Sequence, residues 1–377
     1  MKVNFNLCII KPNKSAFSET FIQEHINRLA GNKKVLYGGA FPLYDHKHKF
    51  LIRSKIGILS YLIQKRILKK QSIKVRTNAL AAYLKKQNID IVLAEYGMVG
   101  SLVAEACKKA GVPLVIHFHG ADAHNSQITA TYLELYQKAF HYASAIIAVS
   151  HDMVEALIKL GAPAEKIVWN PCGVDTLAFP QIDIANTAPH FLFIGRFVEK
   201  KSPGSLVKAF KLVSEAIPAA KLTMVGMGPL FEDTKALILE LGLEEKITLT
   251  GVLNSAQIRE LMQSTRCFVQ HSVTAESGDK EGTPVTILEA GSSGLAIVST
   301  KHAGIKEAVI DNVTGYLVAE HDIEEMANKM ILLASSPELA VKFGQAGRQH
   351  IVKNYDIKRS IDTLNKVISE SVKSKYD

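Results

Sequence analysis

The sequence predicts an α/β protein built from two doubly wound parallel-sheet units in series. Three observations carry that expectation. Short apolar runs alternate with longer amphipathic segments, the pattern of parallel strands joined through helices. The alternation pauses once, at VDTLAFPQIDIANTAPH (residues 174–190), where two prolines and several polar residues read as a linker. It then restarts with the same rhythm, and 377 residues suffice for two ordinary domains.

The elements follow in order. In the first unit, residues 1–180, apolar runs predict strands at 3–10, 34–37, 89–94, 114–118, 145–149 and 167–169, with helices such as 19–29 and 99–109 between them. In the second, residues 181–355, strands are expected at 190–197, 221–225, 247–250, 267–270 and 296–299. Helices are expected around 205–215 and from Thr283 onward. The tail, 356–377, places Ile357, Ile361, Leu364, Ile368 and Val372 at helical spacing, one apolar stripe expected to pack back on the first unit.

Composition narrows the class. The chain is 47% hydrophobic and 21% charged, which suits a soluble globular enzyme and excludes a disordered chain. The opening MKVNFNLCII reads as a first strand rather than a signal peptide. No stretch approaches the ~20 apolar residues of a spanning helix, so a cytoplasmic location is expected. Cys8, Cys107, Cys172 and Cys267 lack metal or redox spacing and read as buried thiols. Residues 1–175 hold 23 Lys+Arg and 12 Asp+Glu, a net of +11 within a total of +9. The basic excess is therefore N-terminal, and that half should meet an acidic partner.

Open parallel sheets bind ligands beyond the carboxyl ends of their strands, so the loops after strands are the places to search, with the cleft between the two units as the expected site. FIGRFVEKKSP puts Arg196 and Lys201 just past a strand that ends at Gly195. A guanidinium forks onto phosphate oxygens and an ammonium adds a mobile charge; solvated surface charge is the plain alternative, which suits Lys200 best. DKEGTPVTILEAGSSG offers Thr283 as N-cap and Pro284 as first helical residue. Such a helix start aims free N–H groups and a positive dipole end at an anion, with Glu281 beside the cap and Glu289 deeper. VGMGPL, with Gly226 and Gly228, allows close backbone approach to a ligand or makes a plain strand-to-helix turn. HFHGADA places His117, His119 and Asp122 at a strand end, with no further His or Cys at ligand spacing to make a metal site. WNPCGVD holds Asn170, Gly173 and Asp175 in a turn that is structural or ligand-facing.

Taken in order, HGxD, NxxGVD, GRxxxxK, GxGP and Ex7E resemble the landmarks of the retaining glycosyltransferases of family 4, over nearly the whole chain and most strongly at EGTPVTILEAGSSGLAIVSTKHAGIKEAV. SETFI, residues 18–22, looks like the branch that builds bacterial exopolysaccharide and lipopolysaccharide. The resemblance implies the GT-B fold, two Rossmann-like domains facing a cleft. It also implies transfer of a sugar, with retention, from a nucleotide diphosphate donor to a glycan or lipid-linked acceptor in surface polysaccharide biosynthesis. By the same resemblance Arg196 and Lys201 neutralise the departing diphosphate, Glu289 holds the ribose hydroxyls, and Glu281 contacts the donor sugar. Gly282, Thr283, Pro284 and Val285 supply backbone donors, and His119 faces the transferred sugar. Gly195, Gly226 and Gly228 line the nucleotide site, with Val252 and Leu253 near the base. Ser18, Glu19 and Asp122 fall on the acceptor side. No metal and no cofactor beyond the donor are implied. The chain departs from the family pattern in two places: the loop after the first strand, KPNKSAFSETF, lacks glycine, and Lys201 is followed by Ser202 rather than glycine.

Residues 46–76 hold ten Lys+Arg and no acid, with Ile52, Ile56, Leu59, Ile63 and Ile67 at helical spacing. A basic amphipathic helix lying on an anionic membrane surface fits, peripheral at the inner face of the cell membrane. A core helix with a solvated basic face fits as well. Two other function classes stand beside the transferase: a nucleotide-sugar epimerase of the same architecture, and a nucleic-acid binder. Against the latter, the basic stretch has few stacking aromatics and the phosphate motifs sit in the less basic unit, so no nucleic acid is expected.

Overall fold

The computed structural model describes residues 5–14, 19–69 and 73–374. The chain divides into two compact units, residues 1–170 with 361–377, and residues 171–360.

The first unit is a seven-stranded sheet. Its strands are β1 (Asn6–Ile10), β2 (Asn32–Tyr37), β3 (Tyr44–Asp45), β4 (Ile91–Glu95), β5 (Leu114–His117), β6 (Ala145–Ala148) and β7 (Ile167–Trp169). Their order is β3-β2-β1-β4-β5-β6-β7, all parallel except the antiparallel edge strand β3. Central strands β1, β4 and β5 are buried almost throughout, as sheets covered by helices on both faces must be. The two-residue β3 was beyond sequence reading, because pattern needs length. Helix Thr20–Arg28 follows β1 and helix Gly97–Ala110 follows β4. The tail forms helix Ile357–Lys373, and Ile361, Leu364 and Ile368 are buried. Within this unit Asn365 Oδ1 accepts the Ala30 N–H at 2.9 Å.

The second unit is a six-stranded parallel sheet: β8 (His190–Ile194), β9 (Lys221–Val225), β10 (Ile247–Gly251), β11 (Cys267–Gln270), β12 (Ala296–Thr300) and β13 (Gly315–Val318). The order is β10-β9-β8-β11-β12-β13. β13, with the sequence GYLV, escaped the sequence reading.

Three expectations are corrected. The boundary was placed at 180, and the structure divides the chain before Pro171. The supposed linker is anchored, because its apolar residues Phe179 and Ile184 are buried in the second core. Ile182 N–H donates to Ser293 O at 2.9 Å and Ser292 Oγ donates to Phe179 O at 2.8 Å. Second, the helix expected to start at Thr283 runs Val285–Ser292, with Pro284 as its N-cap. No side chain caps it, and Thr283 Oγ1 accepts the Cys172 N–H at 3.2 Å. Third, the basic segment forms helix Lys55–Leu62, continued by a π-helical turn Ile63–Ile67. Ile52 precedes it and is buried beside Tyr61 and Ile73, so it is not part of the stripe. Ile56, Leu59, Ile63 and Ile67 are exposed, at 83%, 60%, 41% and 71%, which removes the reading of this element as a core helix.

All four cysteines are buried. Among the described residues no helix is long and apolar enough to cross a membrane.

Candidate functional site

In the second unit most of the expected donor residues lie in the loops after β8, β9 and β11 and on the helix that follows β11. Arg196 follows β8 and is exposed. Lys200 and Lys201 close a 3-10 turn and are both buried. Lys200, expected to be a solvated charge, instead donates to Asp279 Oδ1 and to Lys280 O, each at 3.0 Å. It thereby ties the β8 loop to the stretch that leads to Glu281.

Lys201 donates to Gln270 Oε1 at 3.1 Å and pairs with Glu281 Oε1 at 3.2 Å. Burial pulls the Lys201 ammonium down, and Glu281 opposes that. Burial likewise pushes the Glu281 carboxyl up, but Lys201, Lys200 and His302 outweigh it and hold it below the usual range. The pair is therefore charged. The Glu281 N–H donates to His302 Nε2 at 3.1 Å, His302 Nδ1 bonds Glu320 Oε1 at 2.6 Å, and Glu320 Oε2 accepts the Thr274 N–H at 2.7 Å. Gln270, His302 and Glu320 were missed from the sequence. His302 stood inside the strongest stretch of resemblance, and only its partner, eighteen positions on, shows its task.

Ser202 adopts a left-handed backbone, φ 38°, where the family pattern carries glycine. Its Oγ bonds Ser205 Oγ at 2.7 Å. Gly226 and Gly228 answer a packing need. A Cβ at Gly226 would sit 1.9 Å from Gly195 O, and one at Gly228 2.4 Å from Phe197 O. The two glycines let the β9 loop press against the β8 loop, so they shape the ground around Arg196.

Pro284 O accepts from Ile287 N–H at 3.0 Å and Leu288 N–H at 3.3 Å, so the N–H groups of Val285 and Thr286 stand ahead of the first intrahelical bond. Gly282 and Pro284 are buried, and Thr283 and Val285 are half-buried. Val252 is exposed and Leu253 packs against the core.

Glu289 is half-buried on that helix. Burial pushes its carboxyl up to about 7, against the pull of Arg259. The folded state therefore keeps a proton that the unfolded chain releases near pH ~4.3. Stability falls as pH rises between those values, and the loss is complete above the folded value. Glu289→Gln is expected to raise the melting temperature at pH 8, by on the order of 1–2 kcal/mol of stability after allowing for partial exposure, and to change little at pH 4. Equal effects at both pH values would contradict this.

In the first unit the expected residues gather at the carboxyl ends of β4 and β5. Asp122 is fully buried and is a positioning group. Its Oδ1 accepts the N–H of His119 (3.0 Å) and Gly120 (2.9 Å), and its Oδ2 accepts the Gly97 N–H (2.8 Å). It thus laces the loop after β5 to the loop after β4, where Tyr96 has φ 80°. Glu19 Oε1 accepts from Asn13 Nδ2 at 2.8 Å and from the Tyr96 hydroxyl at 3.3 Å. Ser18 lies outside the described residues. His119 Nε2 bonds Glu95 Oε2, and His25 Nδ1 bonds Glu95 Oε1, each at 2.8 Å. Glu95 and His25 were missed because one closes an apolar strand and the other sits seventy positions away on a helix.

In the NxxGVD turn, Asp175 Oδ1 accepts the N–H groups of Leu177 and Ala178, both at 3.1 Å, and a Cβ at Gly173 would lie 2.6 Å from Ile357 Cα. These residues serve a structural turn.

Comparison with known proteins adds to this geometry. The family model described as Glycosyl transferases group 1 matches residues 175–350, and that described as Glycosyltransferase Family 4 matches residues 57–177. The amylovoran biosynthesis glycosyltransferase AmsK of Erwinia amylovora is 29% identical over 76% of this chain and 72% of its own length. The Escherichia coli UDP-Gal:alpha-D-GlcNAc-diphosphoundecaprenol alpha-1,3-galactosyltransferase is 26% identical over 79% of each chain. The crystal structure of Anabaena HepE in complex with UDP and glucose superposes with a TM-score of 0.77 at 17% identity, over 97% of this chain and 100% of that one.

Proposed function

We propose a donor, an acceptor and a place of action for this chain, which belongs to glycosyltransferase family 4, has the GT-B fold and is a glycosyltransferase. The donor is a nucleoside diphosphate sugar. The acceptor is a lipid-linked or growing surface glycan, and the new bond keeps the anomeric configuration of the donor.

The observation that carries the donor assignment is the arrangement after β8: a buried Lys201 held by Gln270 and Glu281, an exposed Arg196, and a helix start at Pro284. The departing diphosphate develops negative charge as the glycosidic bond breaks. Preorganised cations and backbone N–H groups lower that barrier without reorganising at the moment of reaction. In this reading Glu281, fixed through its own peptide by His302, takes the hydroxyls of the donor sugar, and Glu289 takes those of the ribose. The acceptor assignment leans on the relatives, whose printed activities are amylovoran biosynthesis and galactosyl transfer to a diphosphoundecaprenol-linked sugar.

Incubation with a panel of nucleotide sugars and an undecaprenyl-diphosphate-linked sugar tests the reading. Transfer with release of nucleoside diphosphate is the expected result. Epimerised donor without transfer would replace the transferase by an isomerase.

Membrane contact follows from helix Lys55–Leu62 and its continuation. Its exposed Ile56, Leu59, Ile63 and Ile67 lie within a segment that has ten basic residues and no acid. Apolar side chains enter the interface while cations meet anionic headgroups, at about 1 kcal/mol per Lys or Arg near the surface. The chain is expected to float with anionic liposomes at low salt and to do so less with Ile56→Ser and Ile67→Ser combined. Failure to float at low salt would remove this part of the proposal.

A further inference from the structure

The most unusual buried cluster in the chain surrounds one residue of the transferase reading, His119, with three that the reading leaves unused. Glu95, at the end of β4, is completely buried and is ringed by three imidazoles. His25 Nδ1 lies 2.8 Å from one carboxylate oxygen and His119 Nε2 2.8 Å from the other, while His117 Nδ1 stands 3.4 Å away. Burial pushes the Glu95 carboxyl up, but the imidazoles around it outweigh this and hold it well below the usual range. His117, by contrast, is pushed down to about 3 by burial, so it stays neutral.

An ionised carboxylate can only accept hydrogen bonds. Both 2.8 Å contacts must therefore be N–H donors: Nδ1–H of His25 and Nε2–H of His119. In the tautomer that donates only from Nε2, Nδ1 is an acceptor. His119 Nδ1 is buried and has no hydrogen-bond partner among the described residues. The ring cannot swing away. Its face packs on Phe21 (centroids 4.4 Å apart), Tyr96 (4.8 Å) and His117 (4.3 Å), and its backbone N–H is tied to Asp122. What remains is a rigid lone pair that lacks a donor.

We propose that Glu95 is a positioning residue that locks His119 as the Nε2–H tautomer and so presents His119 Nδ1 as an acceptor for a hydroxyl of the sugar substrate. This rests on the transferase reading for its ligand, but the lock itself does not. His25 completes the device by occupying the other carboxylate oxygen, which keeps Glu95 charged and stops it rotating away from His119. The cluster also brings donor atoms of His25, Glu95 and His117 within 4.8 Å of one another, so a metal ion is the competing occupant and is one outcome of the test.

The test has two arms on the full chain. Nitrogen-15 NMR of labelled histidines, with His119 assigned by its loss in a variant, is expected to show the Nε2–H tautomer in the native protein. In Glu95→Gln the amide can donate as well as accept, and the pattern is expected to shift toward Nδ1–H or a mixture. In the second arm, His119→Asn, which keeps an oxygen close to the Nδ1 position, is expected to retain at least about tenfold more kcat/KM for sugar transfer than His119→Gln. Neither the native tautomer nor the Asn–Gln comparison depends on Glu95→Gln folding. An Nδ1–H tautomer in the native chain, an unchanged tautomer in a folded Glu95→Gln, or a Gln variant as active as the Asn variant overturns the proposal. So does a stoichiometric metal in the purified chain that His25→Ala removes. A native Nε2–H tautomer in a chain that transfers sugar from no donor overturns the transferase reading instead and leaves the lock standing.

Discussion

Arg196→Ala is expected to lose about two orders of magnitude in turnover while unfolding near the native temperature, whereas Lys201→Ala loses both turnover and stability. The kinetic expectation comes from the cost of removing one preorganised donor to a developing oxyanion, ~2.7–4 kcal/mol in the barrier. The difference in stability comes from burial. Arg196 is exposed, so its loss leaves nothing stranded. Lys201 and Glu281 are an ion pair with only 11% and 8% of their side chains accessible. Removing the ammonium leaves a buried carboxylate without its nearest counter-charge, a defect of about 3–5 kcal/mol. Turnover of each variant with saturating donor, together with a thermal melt, separates the two effects. Near-native turnover in either variant, or an unaltered melt in Lys201→Ala, would break the link drawn between burial and role.

Gly226→Ala is the second large effect. Gly226 has φ 134°, which side chains rarely adopt, and the added methyl would lie 1.9 Å from the backbone oxygen of Gly195. No side-chain rotation relieves a clash with a carbonyl. Either the β9 loop or the Gly195–Arg196 backbone must move, at a cost of roughly 3 kcal/mol or more from strain and overpacking together. Denaturant unfolding should show that loss. Donor affinity should fall as well, because the displaced backbone carries Arg196. The same substitution at Gly242, whose φ is 65° but where an added Cβ meets nothing within 4 Å, isolates backbone strain from the clash. Comparable losses at both sites would mean that close approach of the two loops is not what Gly226 provides.

The strands that position these residues were legible because buried parallel strands leave continuous apolar runs, such as LCII, IVLA and AIVS. Arg196 and Lys201 drew attention because they lie just past such a run, and Glu281 because it stands beside a helix start. What escaped depended on partners distant in sequence. Glu95 reads as the last residue of an apolar strand, and nothing in IVLAE announces that imidazoles from Thr20–Arg28 and from beyond β5 converge on it. Asp122 read as a ligand-side acid, yet its carboxylate is spent on three backbone N–H groups of two loops. Lys200 and Lys201 are adjacent, equally charged and equally basic in isolation; only the fold gives one to Asp279 and the other to Glu281. The helix starts one residue later than the sequence suggests, with Pro284 as N-cap and Thr283 Oγ1 bonded to the Cys172 N–H, a partner 111 positions away that no local pattern reveals. The direction of the apolar face of Lys55–Leu62 could not be read at all, since apolar spacing is the same whether a stripe faces a core or a membrane.

The central claim is that a sugar nucleotide's diphosphate is held by the second unit through Arg196, Lys201 and the helix start at Pro284. Calorimetric titration of UDP and GDP, each against its monophosphate, tests it directly in the native chain and in Arg196→Ala. One diphosphate is expected to bind, its monophosphate at least about tenfold more weakly, and Arg196→Ala is expected to erase most of that preference. Equal affinity for mono- and diphosphate, or a preference untouched by removing Arg196, would contradict it.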